Sequence, residues 1–410
     1  MLVSAFFLAA QWYLARTFKV RINKQYAPKY ALRIRKTGIA LLLLANLVFF
    51  TRYITIELGF YEHALIQNLV IYPGGILFAA LGLSLVIALS VDAFRLMKWS
   101  SAKLSIFFNR RHDLKMPADQ NGGDGRREFI KKAGLALAAT SPFGVAIGTA
   151  TATSRDYQII KKDLFFDNLP AGLEGLKIAQ ISDIHSGIYM TQGQIQEIFE
   201  ITNSLHPNLV TITGDFVDTS NHEIPALYNT VKSLKSDFGT FGCLGNHDHY
   251  AHGPAVSSAL EQQGVNMLVN KNTVLEINGE RLTIIGVDDA GSGSLNRARF
   301  DKALLNAGQD TFKVLLSHRP ELFDAARHRD INLTLSGHTH GGQIGMHLFG
   351  VPLYPIKLLH TYTDGLYQQG DKKLYVNVGV GMVGIPIRSI KPEITLLTLR
   401  STGISGHPVG

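Results

Sequence analysis

The stretch LKIAQISDIHSG at residues 176–187 decides the fold class of this chain. It begins with a short apolar run that is typical of a buried strand, and the polar turn Asp183-Ile184-His185 follows directly. Strand-like runs that end in polar turns recur at residues 209–213, 240–244, 282–287, 313–317 and 331–336. Helical patterns lie between them, so we expect an α/β fold whose polar turns gather at the carboxyl ends of the strands.

The predicted helices occupy residues 192–205, 224–234, 254–263, 296–307 and 321–327. The first has the clearest periodicity, because Ile195, Ile198 and Phe199 fall on one face and Pro207 ends the pattern. Two late β-like stretches, 373–380 and 393–399, are expected to close the edge of a sheet. The roughly 250 residues of this part are enough for one sizeable core.

Charge divides the 410-residue chain into two parts. Residues 1–154 contain 19 Lys and Arg against 7 Asp and Glu, whereas residues 155–410 contain 21 against 25, so that +12 and −4 sum to the overall +8. The basic excess therefore belongs to the N-terminal part and does not predict a nucleic-acid-binding surface. The single cysteine, Cys243, excludes an internal disulfide and a cysteine-based zinc cluster, and we expect it to be a buried core residue.

The N-terminal part, residues 1–154, is expected to be a membrane region. Uncharged apolar segments lie at residues 1–15, 38–50, 68–91 and 133–154. The third is long enough to cross a hydrocarbon core of roughly 30 Å, whereas the fourth is rich in Ala, Gly and Thr and contains Pro142. A buried core helix is the alternative for each segment. We predict three or four transmembrane helices before a domain at residues 155–410.

The connecting loops predict the orientation of this region. Residues 16–36 contain eight Lys and Arg and residues 95–132 contain ten, whereas residues 57–67 contain none. Because basic loops stay in the cytoplasm, the domain lies outside if the fourth segment crosses. We therefore expect a multi-pass protein of the bacterial cytoplasmic (inner) membrane with an extracytoplasmic domain.

A pair of arginines directly precedes the fourth apolar segment. Arg126-Arg127-Glu128-Phe129-Ile130-Lys131 resembles a bacterial twin-arginine export signal, although Gly125 stands where Ser or Thr is usual and the motif is internal. An arginine pair before a membrane helix is also ordinary topology signalling, so both interpretations stay open. If the segment is a signal, the twin-arginine export machinery is a partner and cleavage after Ala152 is an option.

The polar turns offer carboxylate, amide and imidazole groups at metal-like spacing. The candidate ligands are Asp183, His185, Asp215, Asn246, His318, His338 and His340. Such a mixed nitrogen and oxygen set suits Mn²⁺, Fe²⁺ or Zn²⁺. Seven ligands are too many for one catalytic ion that keeps an open position, but they suit two divalent metal ions that share a carboxylate.

The order of these blocks resembles a known superfamily. D-x-H, G-D-x-x-D, G-N-H-D, a lone histidine and G-H-T-H, from about residue 176 to 399, look like the calcineurin-like metallophosphoesterases. The H-T-H-G-G-Q form of the last block and the segment 386–394 further resemble the membrane-associated YkuE/YaeI-type phosphodiesterase branch, which is related to enzymes acting on UDP-diacylglucosamine. The resemblance implies a four-layer α/β/β/α metallophosphoesterase sandwich, here preceded by an N-terminal transmembrane helical region.

The resemblance also implies a role for each residue. One metal would be held by Asp183, His185 and His340, the other by Asn246, His318 and His338, with Asp215 as the bridge. A hydroxide held between the two metals would be the nucleophile. His247 would act as general acid or electrostatic stabiliser, and Asp218 resembles the partner that fixes the tautomer of His247, with a helix cap as its alternative.

Several neighbouring side chains have weaker assignments. Asp248 is expected to brace its turn rather than bind metal, and Asp288 and Asp289 could face either the ligands or the substrate. Arg388 is a candidate phosphate contact. The histidines near the turns either touch substrate or lie on the surface; they are His222, His249 and His252.

Membrane tethering beside a phosphoesterase site favours amphiphilic substrates. We expect hydrolysis of a phosphodiester or pyrophosphate bond in a phosphate-containing lipid, a lipid-linked molecule or a small molecule. If the domain is cytoplasmic instead, a UDP-2,3-diacylglucosamine pyrophosphatase-like enzyme of lipid A synthesis becomes the leading choice. The alternatives from other classes are a non-catalytic membrane scaffold and a transporter or channel subunit with a regulatory domain.

Overall fold

A computed structural model describes residues 2–108, 156–289, 297–308, 311–343, 346–348 and 351–403. They form two compact units, one of long N-terminal helices and one that consists mainly of the strands and helices from Asp156 onward. The predicted boundary at residues 154 and 155 lies outside the described residues. So do the fourth apolar segment, the arginine pair and the cleavage site after Ala152.

The N-terminal unit is built from long helices. They are Leu2–Gln25, Pro28–Glu57 and Tyr72–Phe108, the last of which follows a short helical turn at Ala64–Ile66 and a π-helical turn at Gln67–Ile71. Among the described residues, two stretches are long and apolar enough to cross a membrane, Pro28–Ile56 and Gln67–Ser101. They cover the second and third predicted segments, while the first lies in the helix Leu2–Gln25.

Side-chain hydrogen bonds join the first helix to both of these stretches. The amides of Gln11 and Asn46 exchange hydrogen bonds at 3.3 and 2.8 Å. Asp92 accepts hydrogen bonds from the Tyr13 hydroxyl at 2.7 Å and from Arg21 Nη2 at 3.2 Å. Polar groups within an apolar helical unit need such partners, because hydrocarbon offers none.

Two six-stranded sheets form the centre of the second unit. The first contains, in spatial order, β1 (Gln158–Phe166), β14 (Glu393–Ser401), β2 (Lys177–Ile181), β3 (Leu209–Thr213), β4 (Thr240–Cys243) and β5 (Val265–Met267). The second contains β12 (Gly365–Gln369), β13 (Lys372–Val376), β9 (Leu333–Ser336), β8 (Phe312–Ser317), β7 (Glu280–Val287) and β6 (Lys271–Ile277). A separate hairpin pairs β10 (Met346–Leu348) with β11 (Val351–Leu353).

One apolar core of this unit lies between the two sheets, and further apolar clusters lie between the sheets and the helices that cover their outer faces. In β3, Leu209 joins the inter-sheet core while Val210 packs on the helix side, as the two-residue period of a strand requires. In β8, Leu316 joins the inter-sheet core while Leu315 packs on the other side of its sheet, in a cluster with helical residues such as Phe300. The α/β/β/α sandwich predicted from the motifs is therefore confirmed.

Five helices of this unit agree with the sequence pattern to within a few residues; they are Gln192–Ser204, Ile224–Val231, Gly253–Gln262, Arg297–Ala303 and Phe323–Ala326. The first begins with a capping box, in which the Thr191 backbone N–H donates to Gln194 Oε1 at 3.1 Å. The sequence pattern does not predict the short helix Asn246–Ala251, whose first residues it assigns to the polar turn after β4. Cys243 is fully buried in β4, as predicted.

Within the two six-stranded sheets, the strands that the sequence pattern missed are the four edges, β1, β5, β6 and β12. An edge strand is exposed along one side. Polar residues are therefore more frequent in it and interrupt the apolar pattern by which a strand is predicted. The predicted edge position of β13 and β14 is wrong, because a missed strand lies outside each of them. β13 lies between β12 and β9, and β14 lies between β1 and β2.

The strand directions place the functional turns together. β2, β3 and β4 are parallel neighbours in one sheet, and β7, β8 and β9 are parallel neighbours in the other. Each of these six strands ends at one of the predicted polar turns. Parallel strands bring their carboxyl ends to the same edge of a sheet, which is where α/β proteins place their sites.

We predict that Leu316→Ala destabilises the domain strongly, whereas Leu305→Ala does not. Leu316 is fully buried between the sheets and Leu305 is 66% exposed, so only the first substitution leaves a cavity. The expected loss is about 2–5 kcal/mol for Leu316 and less than about 0.5 kcal/mol for Leu305. Thermal unfolding of the detergent-solubilised chain measures both, and equal midpoints would contradict the inter-sheet placement of Leu316.

Candidate metal centre

The turns that carry the candidate ligands have an unusual backbone. Five of these residues adopt a left-handed conformation, with φ of 52° at Asp183, 47° at His185, 52° at Asp215, 71° at His338 and 51° at His340. Residues with a Cβ seldom adopt this conformation, and it clusters at functional sites that the surrounding structure holds in place. The backbone of each turn therefore needs support from its neighbours.

Hydrogen bonds between adjacent turns provide that support. The backbone N–H of Asp183 donates to the Gly214 carbonyl at 3.1 Å, and that of His185 donates to the Asp215 carbonyl at 3.0 Å. In the other sheet, the backbone N–H of Gly337 donates to the His318 carbonyl at 3.1 Å. The loops after β2, β3, β8 and β9 thus hold each other in pairs.

Backbone N–H groups also orient the two buried carboxylates. The His338 N–H donates to both oxygens of Asp183, at 3.1 and 3.0 Å, and the His247 N–H donates to Asp215 Oδ1 at 2.9 Å. Each carboxylate is thereby tied to a turn from a different strand. One oxygen of Asp215, Oδ2, remains directed at the imidazoles.

Asp248 braces the turn after β3, as predicted. Its Oδ1 accepts hydrogen bonds from the backbone N–H groups of Phe216 and Val217 at 2.8 and 3.2 Å, and its Oδ2 accepts one from Gly245 at 2.8 Å. Burial and the charge of Asp215 raise the pKa of Asp248 to about 7. With three backbone donors around it, Asp248 supports the site rather than facing its open side.

One group of converging donors is formed by Asp183, His185 and His340. The Nε2 atoms of His185 and His340 are 3.1 Å apart, and His340 Nε2 is 3.3 Å from Asp183 Oδ1. His185 Nε2 lies 4.0 Å from the same carboxylate oxygen. One ligand atom from each of the three residues therefore lies within 4.8 Å of the others, which is close enough to share one cation.

A second group adjoins the first and contains Asp215, His318 and His338. His318 Nε2 is 3.2 Å from His338 Nδ1 and 3.0 Å from Asp215 Oδ2. Asp215 Oδ2 is also 3.6 Å from His185 Nε2 of the first group. This carboxylate therefore faces both groups, as the motif order implied.

These distances fit divalent cations. Two nitrogens bound about 2.0–2.1 Å from one ion, at angles between the octahedral and tetrahedral values, are roughly 2.8–3.4 Å apart. Both nitrogen pairs fall in that range. The buried Oδ1 of Asn246 has no hydrogen-bond partner among the described residues, as expected of an oxygen that serves as a metal ligand. The donor set and its geometry therefore fit the group that the motifs imply.

A hydrogen bond fixes which nitrogen of His318 faces this cluster. His318 Nδ1 lies 2.8 Å from the Thr213 carbonyl, which can only accept, so this nitrogen carries a proton. Nε2 is then the nitrogen that is directed at Asp215 and His338. This is the arrangement by which proteins orient metal-binding imidazoles.

Electrostatic interactions keep the two buried carboxylates ionised. Burial by itself opposes ionisation of Asp183 and Asp215, because it removes the charged group from water. The surrounding imidazoles outweigh this effect, foremost His340 at Asp183 and His318 at Asp215, and hold the pKa of each carboxyl well below its usual range. Ionised carboxylates are the form that binds a cation.

The imidazoles divide into two kinds. Burial, together with the charges of His318 and Arg319, lowers the pKa of His338 to about 3, and burial likewise lowers the pKa of His340. Burial also opposes protonation of His318, but the nearby Asp215 carboxylate raises its pKa to about 10. A cation bound between His318 and Asp215 would replace that proton as the positive charge.

His247 lies beside the first group and is held by Asp218. His247 Nδ1 is 2.5 Å from the Asp218 backbone carbonyl, which places a ring proton on Nδ1 and directs Nε2 elsewhere. The Asp218 carboxylate lies 3.3 Å from His185 Nδ1 and 3.5 Å from His247 Nδ1. Asp218 thus contacts both rings, and its carbonyl makes the shorter contact with His247. Burial lowers the pKa of His247, but Asp218 and Asp215 raise it to about 9.

Arg388 is not a phosphate contact, and this prediction from the sequence was wrong. Its side chain is fully buried, and its guanidinium donates to the backbone carbonyls of Val378, Gly379, Gly381 and Ile390. Carbonyls beyond the end of β13 need donors because no strand continues the ladder there. Arg388 therefore stabilises the chain segment that follows β13.

The two acidic residues that follow β7 make side-chain hydrogen bonds at the rim of the site. Asp288 Oδ1 lies 2.6 Å from His249 Nε2, and this hydrogen bond raises the pKa of His249. Asp289 accepts two hydrogen bonds from Arg319 Nε, at 2.9 and 2.8 Å. Both carboxylates therefore orient neighbouring side chains, and neither lies within the two groups of candidate ligands.

The other two histidines near the turns have no place among the candidate ligands. His252 Nδ1 accepts a hydrogen bond from the Ala255 N–H at 3.3 Å, at the start of the helix Gly253–Gln262. His222 is exposed in the short turn Asn221–Glu223. His252 thus caps a helix, and the surface alternative fits His222.

Sequence reasoning missed two residues at the site. Arg319 directly follows the candidate ligand at the end of β8, and its Nη1 is 2.9 Å from His338 Nε2. Tyr250 packs its ring on His247 at 5.0 Å between centroids, and its hydroxyl accepts a hydrogen bond from Asn246 at 3.3 Å. Their positions near motif residues were the available signal, since Tyr250 is one helical turn after Asn246.

Comparison with known proteins agrees with this site. The model of the calcineurin-like phosphoesterase family matches residues 176–342. The uncharacterized metallophosphoesterase YkuE of Bacillus subtilis (strain 168) is 35% identical over 57% of this chain and 82% of its own length. The chain belongs to the calcineurin-like metallophosphoesterases. The superfamily and the YkuE-type branch predicted from the motifs are thereby confirmed, and the domain is a metal-dependent phosphoesterase.

Other relatives are named as membrane proteins. A transmembrane protein with metallophosphoesterase domain from Bos taurus is 30% identical over 68% of this chain and 64% of its own length. One from Danio rerio is 29% identical over 59% of this chain and 57% of its own length. In this chain, two helical stretches among the described residues are likewise long and apolar enough to cross a membrane.

We predict that Gly245→Ala removes metal from the purified chain and lowers activity about 100-fold, because small misplacements of catalytic groups cost that much. A Cβ on Gly245 would lie 2.2 Å from Asp215 Oδ1 and would displace this carboxylate. Gly193→Ala is the matched control, since a Cβ there meets nothing within 4 Å. Metal content by mass spectrometry is the measurement. Equal metal content in both variants would contradict the close approach of Gly245 to a ligand.

Proposed function

We propose that this metallophosphoesterase hydrolyses a phosphodiester or pyrophosphate bond in a lipid or lipid-linked substrate with two divalent ions, Mn²⁺, Fe²⁺ or Zn²⁺. The observation that carries the proposal is the position of Asp215. Its Oδ2 lies 3.6 Å from His185 in one group and 3.0 Å from His318 in the other, which suits a carboxylate shared by two ions. The proposed ligands of the first ion are Asp183, His185 and His340, and those of the second are Asn246, His318 and His338.

When bound by these residues, divalent ions would supply positive charge to the phosphoryl oxygens and would lower the pKa of a bound water. The chain itself supplies orientation. The Asp215 carboxylate is fixed by the His247 N–H, and His318 is fixed by the Thr213 carbonyl, so both ligands are in place before substrate arrives. Such preorganised groups lower the barrier because they need no rearrangement during the reaction.

His247 is assigned the proton transfer to the leaving oxygen. Its Nδ1 is engaged by the Asp218 carbonyl, so Nε2 is the nitrogen that can hold and release a proton at the open side. Asp218 acts through His247 by fixing this tautomer. The Arg319 guanidinium, beside His338 and anchored by Asp289, is placed to contact a phosphoryl oxygen.

The two helical stretches that are long enough to cross a membrane support a lipid substrate. A tethered domain stays near the bilayer, which raises its effective concentration relative to lipid phosphates. We place the protein in the bacterial cytoplasmic membrane with an extracytoplasmic domain on the charge distribution of its loops. Protease accessibility of the domain in intact cells and in inverted vesicles tests this placement.

We predict that Asp215→Asn abolishes hydrolysis of bis-p-nitrophenyl phosphate by the detergent-solubilised chain. Loss of the Asp215 charge should weaken metal binding by both groups of candidate ligands. Removal of metal by a chelator should likewise abolish the activity of the wild type. Asp237→Asn is the control, because Asp237 is exposed and lies before the amino end of β4, whereas the candidate ligand Asn246 follows its carboxyl end. Wild-type turnover in the Asp215 variant would exclude the proposed function.

We predict that His247→Asn lowers kcat by about 100-fold or more, the usual contribution of a general acid, while metal content stays near the wild-type value. His206→Asn is the matched control, because His206 is exposed at a helix end and asparagine tolerates its positive φ of 51°. Release of p-nitrophenol and metal analysis measure the two effects. A collapse of metal content would identify His247 as a ligand instead.

A further inference from the structure

Two adjacent leucines of the domain are almost fully exposed. Leu358 is 88% exposed and Leu359 is 80% exposed, whereas the other exposed large apolar side chains described in the domain do not exceed 66%. Single exposed leucines are ordinary, but an adjacent pair with such exposure indicates an interaction surface. We call this pair the leucine tip.

The leucine tip is held by an ordered turn. It belongs to the short helical turn Pro355–Leu358 and the residue after it, and the Lys357 N–H donates to the Tyr354 carbonyl at 3.0 Å. The backbone N–H groups of Leu359 and His360 both donate to the Ile356 carbonyl at 2.9 Å. The backbone therefore presents both leucines outward in a defined geometry.

The residue after the leucine tip reaches the metal centre. The His360 ring lies 6.0 Å from the ring of the candidate ligand His338. His360 Nδ1 is also 2.7 Å from Glu321 Oε1, which fixes the orientation of the ring. The leucine tip thus lies at the rim of the site, one residue from a side chain that faces a ligand.

The segment around the leucine tip is packed against the loop that carries His338 and His340. The Thr339 hydroxyl, between these two ligands, donates to the Thr363 carbonyl at 2.5 Å. Ile356 packs closely on Gly342 of the same loop. A Cβ added to Gly342 would lie 2.9 Å from the Cβ of Ile356. The position of the leucine tip is therefore set by the loop that also sets two ligands.

The chemistry around the leucine tip matches the surface of a bilayer. Lys357 is half-exposed directly beside the leucines, with its ammonium 5.1 Å from the Tyr354 ring and 3.6 Å from Asp364 Oδ1. Leucines flanked by lysine and tyrosine suit an interface, where the aliphatic groups enter the acyl region and the polar groups stay at headgroup level. On another part of the rim, Tyr250 is 64% exposed beside the ring of His247.

The chain itself favours a lipid occupant over a soluble protein. Membrane association through Pro28–Ile56 and Gln67–Ser101 keeps the domain beside a bilayer, so the leucine tip meets lipid at a high effective concentration. We propose that Leu358 and Leu359 insert into the bilayer interface and hold the metal centre at the level of lipid phosphates. The lipid phosphate as substrate rests on the proposed function, but the test of insertion does not depend on it.

The first test measures insertion in the full-length chain. Leu358→Cys is labelled with an environment-sensitive maleimide fluorophore and reconstituted into vesicles of phosphatidylcholine and phosphatidylglycerol, with brominated acyl chains on the phosphatidylcholine. The native Cys243 is fully buried and burial raises the pKa of its thiol, so it does not compete for label. Bromine quenches only fluorophores that reach the acyl chains.

Phe165→Cys is the matched control. Phe165 is 40% exposed near the carboxyl end of β1, which runs parallel to β14 and therefore opposite to β2. It lies at the end of the sheet remote from the ligands that follow β2. We expect several-fold stronger quenching at position 358 than at position 165. Equal quenching, or none at position 358, would overturn the proposal and leave a soluble partner as the occupant.

The second test separates the leucine tip from the chemistry. Phosphatidyl-p-nitrophenol in vesicles and bis-p-nitrophenyl phosphate in solution share a leaving group and a bond type. In the double variant Leu358→Asn with Leu359→Asn, the ratio of lipid to soluble turnover should fall about tenfold, as expected when two inserted side chains lose apolar contact. An unchanged ratio counts against the proposal. If the wild type hydrolyses neither compound, the proposed function fails, and the quenching experiment alone decides the insertion.

Discussion

The crowding of buried imidazole nitrogens and carboxylate oxygens is the constraint on which this structure depends. His185 and His340 bring two nitrogens within 3.1 Å, and His318 and His338 bring two within 3.2 Å. Two nitrogens at such a distance need a proton or a cation between their lone pairs, so the arrangement suits a bound cation. The left-handed backbone of five ligand residues and the missing Cβ at Gly245 both follow from the need to bring the strand ends this close.

The two-sheet architecture makes that crowding sustainable. An apolar core fills most of the space between the sheets, but this space becomes polar towards the site. Gln180 in β2 donates to the Ser336 carbonyl in β9 at 2.9 Å, and Asn377 after β13 donates to Thr395 in β14 at 2.9 Å. These bonds join one sheet to the other below the ligands. They fix the distance between turns that belong to different sheets, while Arg388 holds the connection between β13 and β14 in place.

The fold class and the candidate ligands could be predicted from the amino-acid sequence. The strands β2, β3, β4, β7, β8 and β9 lie in the interior of their sheets, so apolar runs and polar turns identify them without knowledge of their partners. The edge strands β1, β5, β6 and β12 have an unpaired side and carry no such signal. The ordered blocks supplied the ligand types because each block lies within one short turn.

Roles that depend on contacts between distant segments could be assigned only from the folded chain. A guanidinium in the sequence is equally suited to a phosphate and to carbonyls, and only the folded chain shows that Arg388 is buried beyond the end of β13 while Arg319 reaches His338. The exposure of Leu358 and Leu359 could not be inferred either, since apolar residues are usually buried. Local patterns report what a residue can do, but its partners are set by packing across the whole domain.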